Sequence, residues 1–267
     1  MTISYSERFQ QKAAVESYDA NEYAAGSYST RIWQLQRPVL EKLLANFRGT
    51  QSGPTLLLDF ACGTGRVLSW VEQFADTADG IDISEQMVAV ARAKCSRARL
   101  QVGDVLANPE LLGKNYDVIT CFRLLLNLEP EMRARILREL RKLIREPDGL
   151  LLVNVHGNLR SLRHPAILWR RWREQTAKSD IMLNEMSPTE TDKLLWENGF
   201  RVMRKIGFGI LPPGFYKTPL RNAAFAADKF LAGENAWTNW SVDILFVCSP
   251  RCGRRVLTFG PDAGAPD

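Results

Sequence analysis

Long apolar runs are missing from this chain. None approaches the roughly 20 residues a helix needs to span a bilayer. The first 30 residues are polar and carry acids, which is not the pattern of a secretory leader. Histidine is nearly absent, with only His156 and His164. No His/Cys/Asp grouping has metal-ligand spacing, so metal dependence is not expected. The five cysteines form no framework. Cys62, Cys121 and Cys248 sit in contexts typical of buried thiols, and Cys95 and Cys252 stand alone. An odd number without pairs suits a reducing cytoplasm, the expected location. No internal repeat is visible. What the chain does have is 267 residues with 45% apolar content, enough to bury one full core. The tail beyond residue 250, rich in Gly, Pro and Arg, is expected to be mobile.

Residues 56–66 read LeuLeuLeuAspPheAlaCysGlyThrGlyArg. A short apolar strand is expected to end at Asp59 and to be followed by a turn holding Gly63 and Gly65. Ligands of open α/β sheets bind beyond the carboxyl ends of the strands, and glycine there allows positive φ and close backbone approach. A dinucleotide fingerprint needs a third glycine where this chain has Leu68. Asp59 is also a poor neighbour for a pyrophosphate. An acid suits a cationic ligand instead. The same turn occurs in other α/β proteins, so later segments must discriminate. Gly80-Ile81-Asp82-Ile83-Ser84 is a second strand ending in an acid, 17 residues after Gly65. An acid near that distance hydrogen-bonds ribose in nucleotide-binding α/β units. Ser84 suits an N-cap, and Met87, Val90 and Ala91 share one face of the following helix. Val102-Gly103-Asp104-Val105 closes a third strand.

In these three segments the chain resembles the class I SAM-dependent methyltransferases. The resemblance covers residues 50–157 well and 187–250 loosely. It implies S-adenosyl-L-methionine as cofactor and S-adenosyl-L-homocysteine as product. It places Asp59, Ala61, Gly63 and Gly65 at the cofactor loop and Asp82 at the ribose. Asp104 is placed at the adenine amino group and Val105 on the ring. Ile83, Met87, Phe122, Tyr18 and Tyr28 complete the cofactor shell. The implied fold is α/β and doubly wound, with a seven-stranded, mainly parallel sheet whose last strand is antiparallel.

The remaining pattern agrees with alternating strands and helices. Residues 116–122 and 150–155 read as strands, the second apolar enough for burial on both faces. Residues 129–146 read as the clearest helix, with Met132, Ile136, Leu137, Leu140, Leu143 and Ile144 on one stripe. Ser187-Pro188-Thr189-Glu190 is a capping box opening a helix to residue 198. Residues 200–210 and 241–248 read as the last strands. The expected organisation is an N-terminal helical lid over 1–48, a SAM-binding domain over 49–250 with acceptor-binding insertions at 158–186 and 209–239, and a tail over 251–267.

The acceptor side is less determined. Residues 158–178 carry six basic residues against one acid, interleaved with Trp169 and Trp172. This segment grips an acidic or phosphorylated acceptor, lies on an anionic membrane surface, or is a solvated helix with its Trp residues in the core. DNA is excluded as a partner, because Asn/Asp-Pro-Pro-Tyr does not follow the fourth strand and no cysteine there follows a proline. RNA is disfavoured but not excluded. His156, at the carboxyl end of the fifth strand, is the leading general-base candidate; its alternative is a loop histidine bonded to backbone. Arg123 and Asn127 orient an acceptor at the same mouth or cap the loop before Pro130. Tyr28 and Tyr18 belong to an aromatic lid or pack on the sheet edge. Tyr216 and Arg221, near a Gly/Pro-shaped loop from Gly209, are further acceptor candidates. The combined reading is O-methylation of a small molecule: a sugar, a lipid-linked or phosphorylated intermediate, or a natural product. The rivals are an RNA methyltransferase and a SAM-binding protein without turnover.

Overall fold

A computed structural model describes residues 24, 26–113, 115–164, 185–211 and 213–251. Its centre is a seven-stranded sheet in the order β3-β2-β1-β4-β5-β7-β6. The strands are β1 (Leu56–Phe60), β2 (Thr77–Asp82), β3 (Arg99–Val102), β4 (Val118–Phe122), β5 (Leu150–Val155), β6 (Phe200–Phe208) and β7 (Asp243–Pro250). β7 runs antiparallel to both β5 and β6, while the pairs from β3 to β5 are parallel. The expected antiparallel last strand is therefore present. The strand order reverses between β1 and β4, and ligand sites of such sheets form at that switch.

Six α-helices flank the sheet among the described residues: α1 (Tyr28–Thr50), α2 (Leu68–Val71), α3 (Glu85–Lys94), α4 (Pro130–Leu143), α5 (Pro188–Glu197) and α6 (Arg221–Leu231). In α1 the buried positions Ile32, Trp33, Leu35, Gln36, Leu40, Leu43, Leu44 and Phe47 recur at three- and four-residue steps. That stripe packs on one face of the sheet with Leu57, Val118, Leu152 and Val247. Ser27 caps the helix, its hydroxyl accepting from the Thr30 amide at 3.1 Å. On the other face, Ile136, Leu137 and Leu140 of α4 meet Leu58, Ile119, Leu151 and Val153. Truncating any of these leucines to alanine would cost about 2–5 kcal/mol.

α4 stops before the end of its apolar pattern. Ile144 turns extended and bridges Tyr116, and the amide of Arg145 donates to the Tyr116 carbonyl at 2.7 Å. Ile144 is buried by that clamp instead of by the helix stripe. Residues 116 and 117 precede β4, since the clamp and the Asp117 side chain, bonded to the Leu56 amide and Arg145, occupy them. The capping box at Ser187 and Glu190 forms as expected. Cys62, Cys95, Cys121 and Cys248 are free thiols, and the first, third and fourth are buried. Among the described residues no helix is long and apolar enough to cross a membrane.

Candidate functional site

The chemistry-bearing residues gather at the carboxyl ends of β1, β2, β4 and β5. Asp59 lies inside β1, with Phe60 ending the strand, one residue later than expected. Its carboxylate is buried, and the residue is 2% exposed. Thr120, its register partner on β4, donates to Oδ1 at 2.6 Å. Asp59 Oδ2 has no hydrogen-bond partner among the described residues. Burial pushes this carboxyl up to about 7, against the Thr120 bond and the weaker pulls of the Leu68 amide and Arg66; Asp82 adds to the push. A buried, half-satisfied carboxylate is costly alone and is stabilised by a cationic partner.

The turn after β1 holds Ala61, Gly63 and Gly65 at φ of 56°, 54° and 75°. The two glycines do different work. A side chain on Gly63 would meet nothing within 4 Å among the described residues. A side chain on Gly65 would strike Ala91 and Cys95, so this glycine lets α3 pack against the turn. The amide of Gly63 donates to Asp82 Oδ2 at 2.8 Å, and that of Ser84 to Oδ1 at 2.9 Å. Asp82 thus ties the two loops together. Burial raises its pKa, against the amides of Ser84, Gly63 and Ile83. Carboxylate oxygens accept more than one hydrogen bond, so these contacts leave capacity for hydroxyl donors. Next to it Ile83 is 48% exposed, an apolar face beside polar groups. Met87 is buried under Ser84, whose hydroxyl accepts from the Met87 amide. Beyond β3, Asp104 Oδ1 accepts from the Leu106 amide at 2.9 Å, and Val105 is buried.

A second polar group lies beyond β4 and β5. Arg123 follows Phe122, which ends β4 as a buried ring, and has φ of 56°. Asn127 Nδ2 donates to the Arg123 carbonyl at 2.6 Å, and the Arg123 amide to the Asn154 carbonyl at 3.2 Å. Asn154 is buried and donates to Asp243 Oδ1 at 3.3 Å across the β5–β7 pair. His156 is half-buried, and its Nδ1 has no hydrogen-bond partner among the described residues. Burial, and then Arg123, Arg163 and Arg66, depress its pKa well below the usual histidine value. It is therefore neutral at pH 7. Asp243 is pushed up by burial, against Arg123, Asn154, Arg66 and Arg163. Neither Asp243 nor Arg66 stood out in the sequence, although a charged residue opening the apolar strand AspIleLeuPheValCys was a usable signal.

The start of α1 and the loop before α6 roof this group. Tyr28 and Tyr216 meet edge to face, with ring centroids 5.3 Å apart. Arg31 lies 5.7 Å from the Tyr216 ring centre. Gly209, at φ of 67°, sits where a side chain would strike Tyr28 Oη and Ile32. Asp228 of α6 accepts from the amides of Ile210 and Leu211 at 2.9 and 3.1 Å, and from the Tyr216 hydroxyl. The Tyr216 hydroxyl, expected at the acceptor, donates to Asp228 and ties the loop to α6. Arg221 opens α6 as an exposed residue with its amide bonded to Thr218, outside the buried group. Tyr18 and residues 165–184, including most of the basic segment, lie outside the described residues. The base of that segment is built: Asn158 Nδ2 donates to the carbonyls of Asn239 and Ser241, and His164 Nδ1 lies 3.1 Å from Glu185 Oε2.

A family model described as a methyltransferase domain matches residues 32–205, more than half of the chain. A presumed methyltransferase of Geobacillus sp. (strain WCH70) is 34% identical over 112 residues, 40% of this chain and 44% of that protein. The dTDP-3-amino-3,6-dideoxy-alpha-D-glucopyranose N,N-dimethyltransferase of Streptomyces fradiae is 37% identical over 65 residues, 24% of this chain and 25% of that enzyme. The chain thus spans less than half the length of these curated relatives. Among solved structures, the DhpI–SAH complex superposes with a TM-score of 0.59 at 16% identity, covering 93% of this chain and 97% of that one.

Proposed function

The chain belongs to the methyltransferase-domain family, and from that premise we propose that it is a SAM-dependent methyltransferase acting on a hydroxyl of a small-molecule acceptor. The observation that carries the cofactor reading is the buried Asp59 carboxylate, whose Oδ2 has no hydrogen-bond partner among the described residues. A ligand with ammonium and sulfonium charges offsets the cost of that ionised acid. Asp82 would hold ribose hydroxyls, Ile83 offers an apolar face, and Asp104 with Val105 would hold adenine. The related DhpI structure contains SAH. When bound, SAM supplies an electrophilic methyl on sulfur, which leaves as the thioether.

The chain's own contribution is to hold the acceptor in line and to accept its proton. Positioning alone supplies much of the acceleration in a bimolecular transfer. His156 is kept neutral by burial and by Arg123, Arg163 and Arg66, so its imidazole would be in the basic form at pH 7. The roof of Tyr28, Arg31 and the Asp228-anchored loop would exclude water.

A second reading is N-methylation of an amino sugar, favoured by the match to the Streptomyces enzyme; an amine acceptor has less need of a base. Calorimetry with SAM and SAH, followed by turnover of labelled SAM on hydroxyl, amine and RNA acceptors, tests the proposal. Absence of SAH binding to the folded protein would reject it. Turnover on RNA or amines alone would reject the hydroxyl assignment.

A further inference from the structure

We propose that α6 docks on an anionic lipid surface, with Leu220, Ala223, Ala227 and Phe230 turned into the bilayer interface and Arg221 and Lys229 against lipid phosphates. A surface helix ordinarily turns its apolar stripe to the core. α6 does the reverse. Its inward positions are Ala224 and Asp228, four residues apart and both buried. Leu220, Ala223, Ala227 and Phe230 recur at three- and four-residue steps, with Ala226 beside them, and all five are exposed. Phe230 is 80% exposed and Leu220 63%. Phe215, before the helix, and Trp237 and Trp240, after it, are exposed as well. Five of the nine large apolar side chains exposed among the described residues therefore fall between positions 215 and 240. The Asn235 side chain donates to the Leu231 carbonyl at 2.9 Å and accepts from the Trp237 amide at 2.8 Å, which ties the Trp237 turn to the end of α6.

The charges around the stripe select the occupant. Arg221 and Lys229, near opposite ends of α6, are both exposed. The one acid of the helix, Asp228, is turned inward and holds the Ile210 and Leu211 amides and the Tyr216 hydroxyl. Glu234, the next acid along the chain, is held by Arg204 at 2.6 Å. The outward face of α6 is therefore apolar with a positive flank. Pairing it with a second copy of itself would bring like charges together. Anionic headgroups would neutralise them instead. A stripe of alanines with one Leu and one Phe inserts shallowly, and a Trp with its apolar body and polar N–H settles at the headgroup boundary. With 11 residues, α6 is too short to span a bilayer and would lie in its plane. Lipid binding of this kind needs no SAM, so the two are tested apart.

The test is co-sedimentation of the full chain with two kinds of vesicle, phosphatidylcholine alone and phosphatidylcholine mixed with phosphatidylglycerol, at low and high salt. Binding to the mixed vesicles at low salt should be about tenfold or more tighter than to phosphatidylcholine, and salt should weaken it. Phe230→Ser and Ala227→Glu should each weaken it by about tenfold or more, with the melting temperature and SAH affinity close to wild type. Replacing Arg221 and Lys229 together by Gln should reduce the preference for the anionic vesicles. If Ala227→Glu does not fold, Phe230→Ser carries the comparison. No binding to the mixed vesicles, or equal binding to both kinds, overturns the proposal. Undiminished binding by Phe230→Ser and Ala227→Glu would put the lipid contact elsewhere in the chain and overturn the assignment to α6. A lower melting temperature of Phe230→Ser would mean that the chain itself covers the stripe, and light scattering that finds a dimer dissolved by Ala227→Glu would mean that a second copy does; either result overturns it.

Discussion

Thr120 and Asp59 face each other across β4 and β1, and the threonine hydroxyl holds one carboxylate oxygen at 2.6 Å. The bond fixes the carboxylate and leaves Oδ2 buried without a hydrogen-bond partner among the described residues. The folded pKa of Asp59 is about 7, against about 3.9 for an unfolded aspartate. The unfolded chain therefore releases its proton first. Ligand-free stability from this group is complete below pH 4 and falls as pH rises towards 7, by about 4 kcal/mol in all. Asp59→Asn should remove that loss, melting higher than the wild type at pH 8, and should weaken SAM at least tenfold. Melting curves against pH without SAM, together with calorimetry, check both. Coincident pH profiles for the two proteins would refute the account.

Cofactor binding should also respond to pH through the same acid. A cationic ligand selects the ionised carboxylate, so binding SAM below pH 7 must release a proton. The affinity should fall as pH falls from 7 to 5. Calorimetry in buffers of different ionisation enthalpy reads the proton count, and a count of zero at pH 6 would exclude Asp59 as the counter-charge.

Asp82 joins two loops as well as facing the proposed ribose. Losing its carboxylate leaves the amides of Gly63 and Ser84 without their acceptor. Each such loss costs about 1–3 kcal/mol. Asp82→Ala should therefore lower both the melting temperature and, tenfold or more, the SAM affinity. Unchanged SAH affinity in a folded Asp82→Ala protein would rule out the ribose assignment.

Local chemistry explains which features were readable. The strands β1, β4 and β5 are apolar runs bounded by turn residues, and Ser187 with Glu190 is a self-contained cap. The spacing places the acids at 59, 82 and 104 within two residues of strand ends. What failed to show depends on contacts between distant segments. Ile144 continues the α4 stripe in sequence, yet Tyr116 draws it out of the helix. Asp228 looks like a solvated acid in an alanine-rich helix, but it binds the amides of Ile210 and Leu211 and the Tyr216 hydroxyl. That long-range pairing is why Tyr216 holds the loop. Gly65 resembles a ligand-facing glycine, and only the position of Ala91 shows that it admits α3.

The roof over the acceptor side has a distinct test. Gly209 has positive φ, and a methyl group there would collide with Tyr28 and Ile32. Gly209→Ala should destabilise the protein by more than about 1 kcal/mol and lower acceptor turnover, while SAH affinity stays near wild type. Gly214→Ala, where an added methyl meets nothing within 4 Å among the described residues, is the control and should be close to neutral. Thermal melts and turnover of the two variants decide it; equal behaviour would remove the Tyr28–Gly209 contact from the account of the loop.

His156 offers the sharpest distinction between chemistry and packing. Its folded pKa is depressed, so the unfolded chain takes up the proton first as pH falls. Stability from this residue is therefore present above about pH 6.5 and declines below it. In the catalytic reading, His156→Ala lowers kcat about a hundredfold or more at pH 7 and leaves SAM affinity unchanged. Part of the loss returns at higher pH, where a hydroxyl acceptor ionises unaided. In the structural reading, the same variant melts lower and loses the acid-side decline in stability, but kcat per folded molecule stays near wild type. Measuring kcat against pH beside melting curves separates the two. A stable His156→Ala protein with wild-type kcat at pH 7 would leave positioning by Arg123 and its neighbours, or an amine acceptor, as the basis of turnover.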